Sequence, residues 1–438
     1  VGSEMCIRDS VDPYVELTPQ TLEYLEKKNY PWGRFLNFGK FTGLCAKMTR
    51  QGIPVNYDLW MRVKQRWPQV RQQYLEDNDQ LGLLFESGEI NKTALTRYLI
   101  KNDCRWPAKP TDSGELDTSD NALKEASRIY PELETIRQVR KLYKALESMQ
   151  RPDSGVQVAT DGKARCYFAP YSTLTSRNAP KNYILGAAKA LRHFIQPAKG
   201  FAIASLDYAS QEFLIAGALA NDEAMLSDYA AGDVYMAFAK RIGLAPDDAT
   251  AETHPEARKK AKTLVLGIGY GMSAWGLRNR LGTSEDEADL LINKYWDVYS
   301  TYAKWRSELP AKMQVNGYLE LTDGWRLLPV LDCNQRSIMN FPMQGTGANI
   351  LRKACFDLDI AGITMLGTNH DSIMIQAPIG NVNEHINTTK QIMIDASKEL
   401  LNGHACRVDV EQVVRYPDHW NPEAGRDLYN KLLGVCNG

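Results

Sequence analysis

Two apolar, strand-like runs each end on an aspartate, and a basic helical segment separates them in the chain. The first is Phe201-Ala-Ile-Ala-Ser-Leu-Asp207-Tyr208; the second is Ile363-Thr-Met-Leu-Gly-Thr-Asn-His370-Asp371-Ser372-Ile-Met-Ile. Aspartate is unfavourable inside a strand, so Asp207 reads as a strand end, a turn or a functional position. Asp371 lies among turn-favouring polar residues between apolar segments, the pattern of a β-hairpin that offers a carboxylate at its tip. A fold that joins these acids can hold two divalent cations about 3.5–4 Å apart and drive in-line displacement at phosphorus. Such hard oxygen ligands suit Mg²⁺, which takes its remaining ligands from phosphate and water.

Between the acids, Arg258, Lys262, Leu266 and Tyr270 follow at four-residue steps. Each step overshoots a full helical turn by only about 40°, so the four share one side. A face with two cations can hold a triphosphate against metals. The plainer reading is a solvated basic helix, yet Leu264-Val-Leu-Gly-Ile-Gly-Tyr270-Gly271 follows, apolar and glycine-rich. Gly267, Gly269 and Gly271 weaken the helix and imply close packing or motion. Paired acids and a cationic face together point to nucleotidyl transfer.

At 438 residues the chain has room for two or three domains, or one enzyme with lobes. Its net charge of −1 gives no argument for nucleic acid, which must rest on local clusters such as Arg258-Lys259-Lys260-Ala261-Lys262. The eight cysteines form no C-x-x-C pair, which argues against a zinc module or a disulfide scaffold and for a reducing, cytoplasmic compartment. No apolar run approaches the roughly 18 residues of a membrane span. Residues 1–10 fit neither a signal peptide nor a helix and read as a non-native leader.

Periodicity predicts helices over 17–56, with a turn at Gly52-Ile53-Pro54, and over 57–79. Pro107 to Gly114 reads as a loop, and Ser119 as the start of a helix. Further helices are expected over 132–149, 222–230, 255–270, 285–300, 301–315, 344–359 and 384–401, with a strand over 406–414. The layout is α+β: a sheet split in sequence by a helical insertion, with another helical lobe in front.

Several of these segments, in order and with internal spacing kept, resemble the motifs of family A DNA polymerases. Asp207-Tyr208 with Glu212 is similar to motif A, Arg258-x-x-x-Lys262 followed by Tyr270-Gly271 to motif B, and His370-Asp371 to motif C. Thr175-Ser176-Arg177 is similar to the family's T-G-R, and Arg336-x-x-x-Asn340-Phe-Pro-Met-Gln344-Gly-Thr to its R-x-x-x-N-x-P-x-Q-G-T. The likeness runs from about Met48 to the C-terminus. Arg177-Asn-Ala-Pro, Asp233-Val-Tyr-Met-Ala-Phe-Ala-Lys240 and Tyr416-Pro-Asp look most like phage and other viral members.

The resemblance implies a right-hand polymerase fold after a remnant at 11–47. Its parts would be a thumb at 48–160, a palm from 161–215 and 321–438, and fingers at 216–320. It implies a template-directed enzyme that adds deoxynucleoside triphosphates to a primer end, working as a monomer on primer–template DNA. Asp207 and Asp371, with the Tyr208 carbonyl, would hold two Mg²⁺, Mn²⁺ being an alternative. Arg258 and Lys262 would grip the triphosphate, Lys262 protonating the leaving pyrophosphate, with Leu266 near base and sugar. Glu212 with Tyr270 would exclude a 2′-hydroxyl. Arg177, Asn340 and Gln344 would read the minor groove, whose acceptors are nearly independent of sequence, and His370 would lie near the primer terminus.

Three positions depart from the family pattern. Ser372 follows Asp371 where many members have glutamate, and Leu266 stands where phenylalanine is commonest, so stacking is lost. Ala209-Ser210-Gln211 replaces the common S-Q-I. Proofreading relatives carry an upstream exonuclease with its own acidic cluster; only about 47 residues precede the thumb here, too few for such a domain. Asp409-Val410-Glu411 reads as structural, and synthesis without proofreading is expected. The alternatives are a single-subunit RNA polymerase, against which Glu212 argues, and an inactive binder of primer–template DNA.

Overall fold

The chain is described here by a computed structural model covering residues 23, 32–108, 110–111, 113–147, 155–329, 333–423 and 425–437. Its central sheet has four antiparallel strands in the order Val408–Arg415, Phe201–Tyr208, Ser372–Pro378, Thr364–Asn369. Ala202, Ile203, Ala204 and Leu206 have no exposed surface. Both faces of that strand are therefore covered, which explains a continuous apolar run rather than alternation. Burying Ile203 and Leu206 contributes roughly 1.5–3 kcal/mol each. The helix Val382–Leu400 packs on this sheet, and the buried Tyr208 hydroxyl donates to the Met393 carbonyl at 2.7 Å.

The long helix Gln335–Ile360 packs against Val382–Leu400, Gln211–Ala220 and Trp32–Gln51. It begins at Gln335 rather than at the expected Gln344, because Asn334 caps it and the helix continues through Pro342. Close packing also explains Gly345 and Gly347: a Cβ at the first would lie 2.3 Å from Leu321 Cδ1, and at the second 2.7 Å from Gln211 Oε1. The segment between the motif strands folds as helices around Phe238, Tyr295 and Tyr299, whose ring centroids lie 5.1–5.7 Å apart. Such contacts favour edge-to-face and offset rings.

A second helical lobe has its own core of Leu95, Leu99, Leu123, Ala126, Leu133 and Ile136. Ser119 caps its Asp120–Ile129 helix as expected, accepting from the Ala122 amide. At its stem Ile53–Pro54 pairs with Lys163–Arg165, which also pairs with Gln157–Val158. The expected turn at 52–54 is thus partly strand.

Other expected elements are broken by backbone chemistry. The segment 57–79 divides into Tyr57–Gln65 and Trp67–Asn78 around Arg66, with Pro68 opening the second helix. Likewise 301–315 divides at Glu308 before Pro310. A C-terminal helix, Arg426–Asn437, was not foreseen.

The expected lobe boundary at 47/48 falls inside the helix Trp32–Gln51, and that at 215/216 inside Gln211–Ala220. Phe41 and Leu44 belong to the main core, with Phe41 edge-on to Tyr171 and Phe356. Residues 1–10 and 148–149, and 17–31 except Glu23, lie outside the described residues.

Candidate active site

Sheet register brings the two acids together. Ser372 is the cross-strand partner of Asp207, so Asp371, one residue before it in the hairpin loop, stands beside Asp207. The Tyr208 amide donates to the Asp371 carbonyl at 3.4 Å, and the two carboxyls lie close enough to influence one another's titration. Burial raises the pKa of both acids; at Asp207 the neighbouring Asp371 charge raises it further. Two buried carboxylates this close need positive charge or a shared proton.

Backbone strain surrounds the pair. His370, directly before Asp371, has φ of 58°, and Ser210, three residues after Asp207, has φ of 51°. Left-handed backbone at residues other than glycine costs of order 1–3 kcal/mol and persists where the surroundings over-determine it.

Across an open cleft of about 580 Å³ stands the helix Pro255–Gly269. Asp207, Tyr208, Glu212, Arg258, Lys262, Leu266, Tyr270 and Asp371 all line that cleft. Lys262 is exposed, whereas Arg258 is half-buried. The Arg258 guanidinium donates to Asp233 at 2.5 Å and lies 5.5 Å from the Tyr235 ring centre; the Lys262 ammonium lies 5.6 Å from the same ring. Tyr270 is the residue after the helix. It lines the cleft beside Glu212, which pairs with Arg177 at 2.5 Å. Burial, then the Glu212 charge, raises the Tyr270 pKa, so its hydroxyl stays protonated.

The remaining expected residues flank the cleft. Asn340 and Gln344 line an adjoining cavity that shares Glu212, Leu266 and Tyr270 with it. Arg177 and His370 line another, on the far side of the hairpin. Tyr208 turns its side chain into the core, leaving only its backbone for the cleft.

Sequence reasoning missed three contributors. Asp409, read as structural, is the cross-strand partner of Asp207 on the opposite side from Ser372 and lines the cleft. Glu411 accepts from Ser205 at 2.9 Å. Long-range register gives no local signal, so neither was legible. Buried Arg306 donates to the Gly269 carbonyl at 2.6 Å and to Asn340 Oδ1 at 3.1 Å, tying the end of the basic helix to the long helix. It satisfies a C-terminal carbonyl and suits the negative end of the helix dipole.

Residues 74–421 match DNA polymerase family A. The chain belongs to that family. It is 27% identical to a thermostable DNA polymerase I of Thermus caldophilus, over 69% of this chain and 39% of that protein. It is 27% identical to the DNA polymerase I of Deinococcus radiodurans over 64% of this chain and 31% of that one. A DNA polymerase I of Streptococcus pneumoniae is 30% identical over 44% of this chain and 24% of its own length. The chain thus spans well under half the length of these relatives. Its fold is similar to the solved POL domain of Pol1 from M. smegmatis in complex with DNA primer-template and dNTP. The TM-score is 0.68 at 22% identity, covering 84% of this chain and 67% of that one. The chain therefore has the α+β, right-hand fold of a family A polymerase.

Among the described residues no group of three or more His, Cys, Asp or Glu side chains is arranged to enclose a metal. The donors present are two neighbouring carboxylates raised in pKa by burial, which fits divalent metals completed by phosphate and water oxygens. Among those residues, too, no helix is long and apolar enough to cross a membrane.

Proposed function

We propose that this family A chain is a template-directed DNA polymerase that extends a primer 3′ end with deoxynucleoside triphosphates. One observation carries the reading: Asp207 and Asp371 meet on the floor of a cleft whose opposite wall presents Arg258 and Lys262. Two Mg²⁺, or Mn²⁺, held by Asp207, Asp371 and the Tyr208 carbonyl would activate the primer hydroxyl and neutralise charge developing on the phosphates. Arg258 and Lys262 bind and orient the triphosphate, leaving Asp233 and the Tyr235 face to do so. Lys262, the exposed ammonium, can then give a proton to the departing pyrophosphate. Glu212 and Tyr270, side by side in the cleft, fill the space a ribose 2′-hydroxyl needs. Arg177, Asn340, Gln344 and His370 contact the primer–template.

The lobes follow the expected order with the bounds moved to helix ends: thumb at 52–160, palm at 161–220 and 321–438, fingers at 221–320, with a monomer as the working unit. We further propose synthesis without proofreading by this chain, since Asp409 pairs with Asp207 across the sheet and Glu411 accepts from Ser205. The phage-like kinship rests on three motif phrases, whereas the relatives named above are bacterial. Primer extension with Mg²⁺ and either deoxy- or ribonucleotides tests the reading. Extension with deoxynucleotides alone is expected. Preference for ribonucleotides would instead favour a single-subunit RNA polymerase, and absence of both a DNA-binding protein.

A further inference from the structure

Ser176 is a fully buried serine held at φ of 60°, a left-handed conformation that side chains rarely adopt. Its neighbour Arg177 reaches Glu212, and the Arg177 Nε, also buried, has no hydrogen-bond partner among the described residues. What fixes the turn is Arg352, itself only 4% exposed, on the long helix Gln335–Ile360. One nitrogen of its guanidinium donates to the Ser176 carbonyl at 2.7 Å, and the other to Ser176 Oγ at 2.9 Å. The second nitrogen also meets Asp323 at 3.0 Å and Asn349 Oδ1. The guanidinium plane lies 4.4 Å from the centre of the Tyr171 ring. Two of these four bonds go to one strained residue.

We propose that Arg352 is a positioning residue: it clamps Ser176 in the left-handed conformation that aims Arg177 at Glu212 and at the cavity beneath His370. The inference rests on the polymerase reading above and extends it to a residue that lines the Arg177–His370 cavity without reaching the acids. Three features make the clamp necessary. A serine pays a steric cost in this conformation that a glycine does not. The backbone around it is otherwise committed, with the Ser176 amide donating to the Thr173 carbonyl and the Arg177 amide to Thr173 Oγ1. The Ser176 Oγ, fully buried, needs a donor or acceptor of its own, and Arg352 supplies it.

Steady-state primer extension on a cycle of variants tests this. Arg352→Lys keeps a charge opposite Asp323 but cannot serve Ser176 O and Oγ in one plane. It should lower kcat/KM for primer–template about tenfold when Arg177 is present and less than about twofold in an Arg177→Ala background, since the two changes act through one contact. Adding Ser176→Gly to Arg352→Lys should recover most of the loss, because glycine adopts the turn without a clamp. Arg352→Met, followed by thermal unfolding, gives a second entry to the same cycle should the lysine variant keep one bond to Ser176 and full activity. Equal losses with and without Arg177, or no recovery on adding Ser176→Gly to whichever Arg352 variant is impaired, would overturn the proposal. Full activity of both Arg352 variants would overturn it too. A wild-type chain that extends no primer would remove the polymerase reading and this inference together.

Discussion

The two walls of the cleft are built on opposite principles. On the floor, Asp207 and Asp371 are fixed by strand register and set side by side, so that burial raises the pKa of both and the Asp371 charge raises that of Asp207 further. Opposite them, Arg258 and Lys262 project from one helix, and their partners there are the Asp233 carboxylate and the Tyr235 ring. The floor is preorganised and short of positive charge. The wall is supplied with positive charge and holds it on partners that a triphosphate can replace. On the proposed reading the acids are thus set by the sheet and the nucleotide-binding cations by exchangeable contacts, a division that would let nucleotides come and go without disturbing the acids.

Substitutions can break that contrast, beginning with the floor. Asp371→Asn should lower single-turnover extension about a thousandfold while primer–template affinity changes little, because it removes a proposed ligand of the cations that act on the reacting phosphate. Filter binding alongside rapid-quench kinetics separates the two effects. On the wall, Lys262→Ala should cost about a hundredfold in kcat, the usual scale for losing a proton donor. Glu212→Ala should weaken discrimination against ribonucleotides about tenfold, read as the ratio of kcat/KM values for the two sugars. Asp233→Asn should sharpen the contrast with a smaller change. Asparagine can still cap the helix Val234–Arg241 but frees Arg258 of a competing charge. The KM for nucleotide should then fall about twofold to threefold at low salt, as expected for a part-exposed ion pair. Unchanged KM would mean Asp233 aims Arg258 rather than competing for it.

Much of the site was legible because its signals are local. An aspartate closing a fully apolar run, and cations spaced at four residues, depend only on neighbouring positions, and the structure puts all of them on one cleft. What escaped sequence reading depends on distant partners. Asp409 faces Asp207 only through register between strands some two hundred residues apart. The first turns of the long helix were missed because Pro342 and the nearby glycines lower helix propensity, a preference overridden by packing against Leu321 and Gln211. Arg306 and Arg352 were likewise invisible, since nothing beside them in the chain shows that they are buried.

The account turns on the aspartate pair acting together as a holder of divalent cations. Its most direct test is the single-turnover extension rate as a function of Mg²⁺ concentration for the wild type, Asp207→Asn and Asp371→Asn. Saturable Mg²⁺ dependence in the wild type, lost with the rate in both variants while primer–template binding persists, is the expected result. Retention of wild-type rate and Mg²⁺ response in either variant would contradict it.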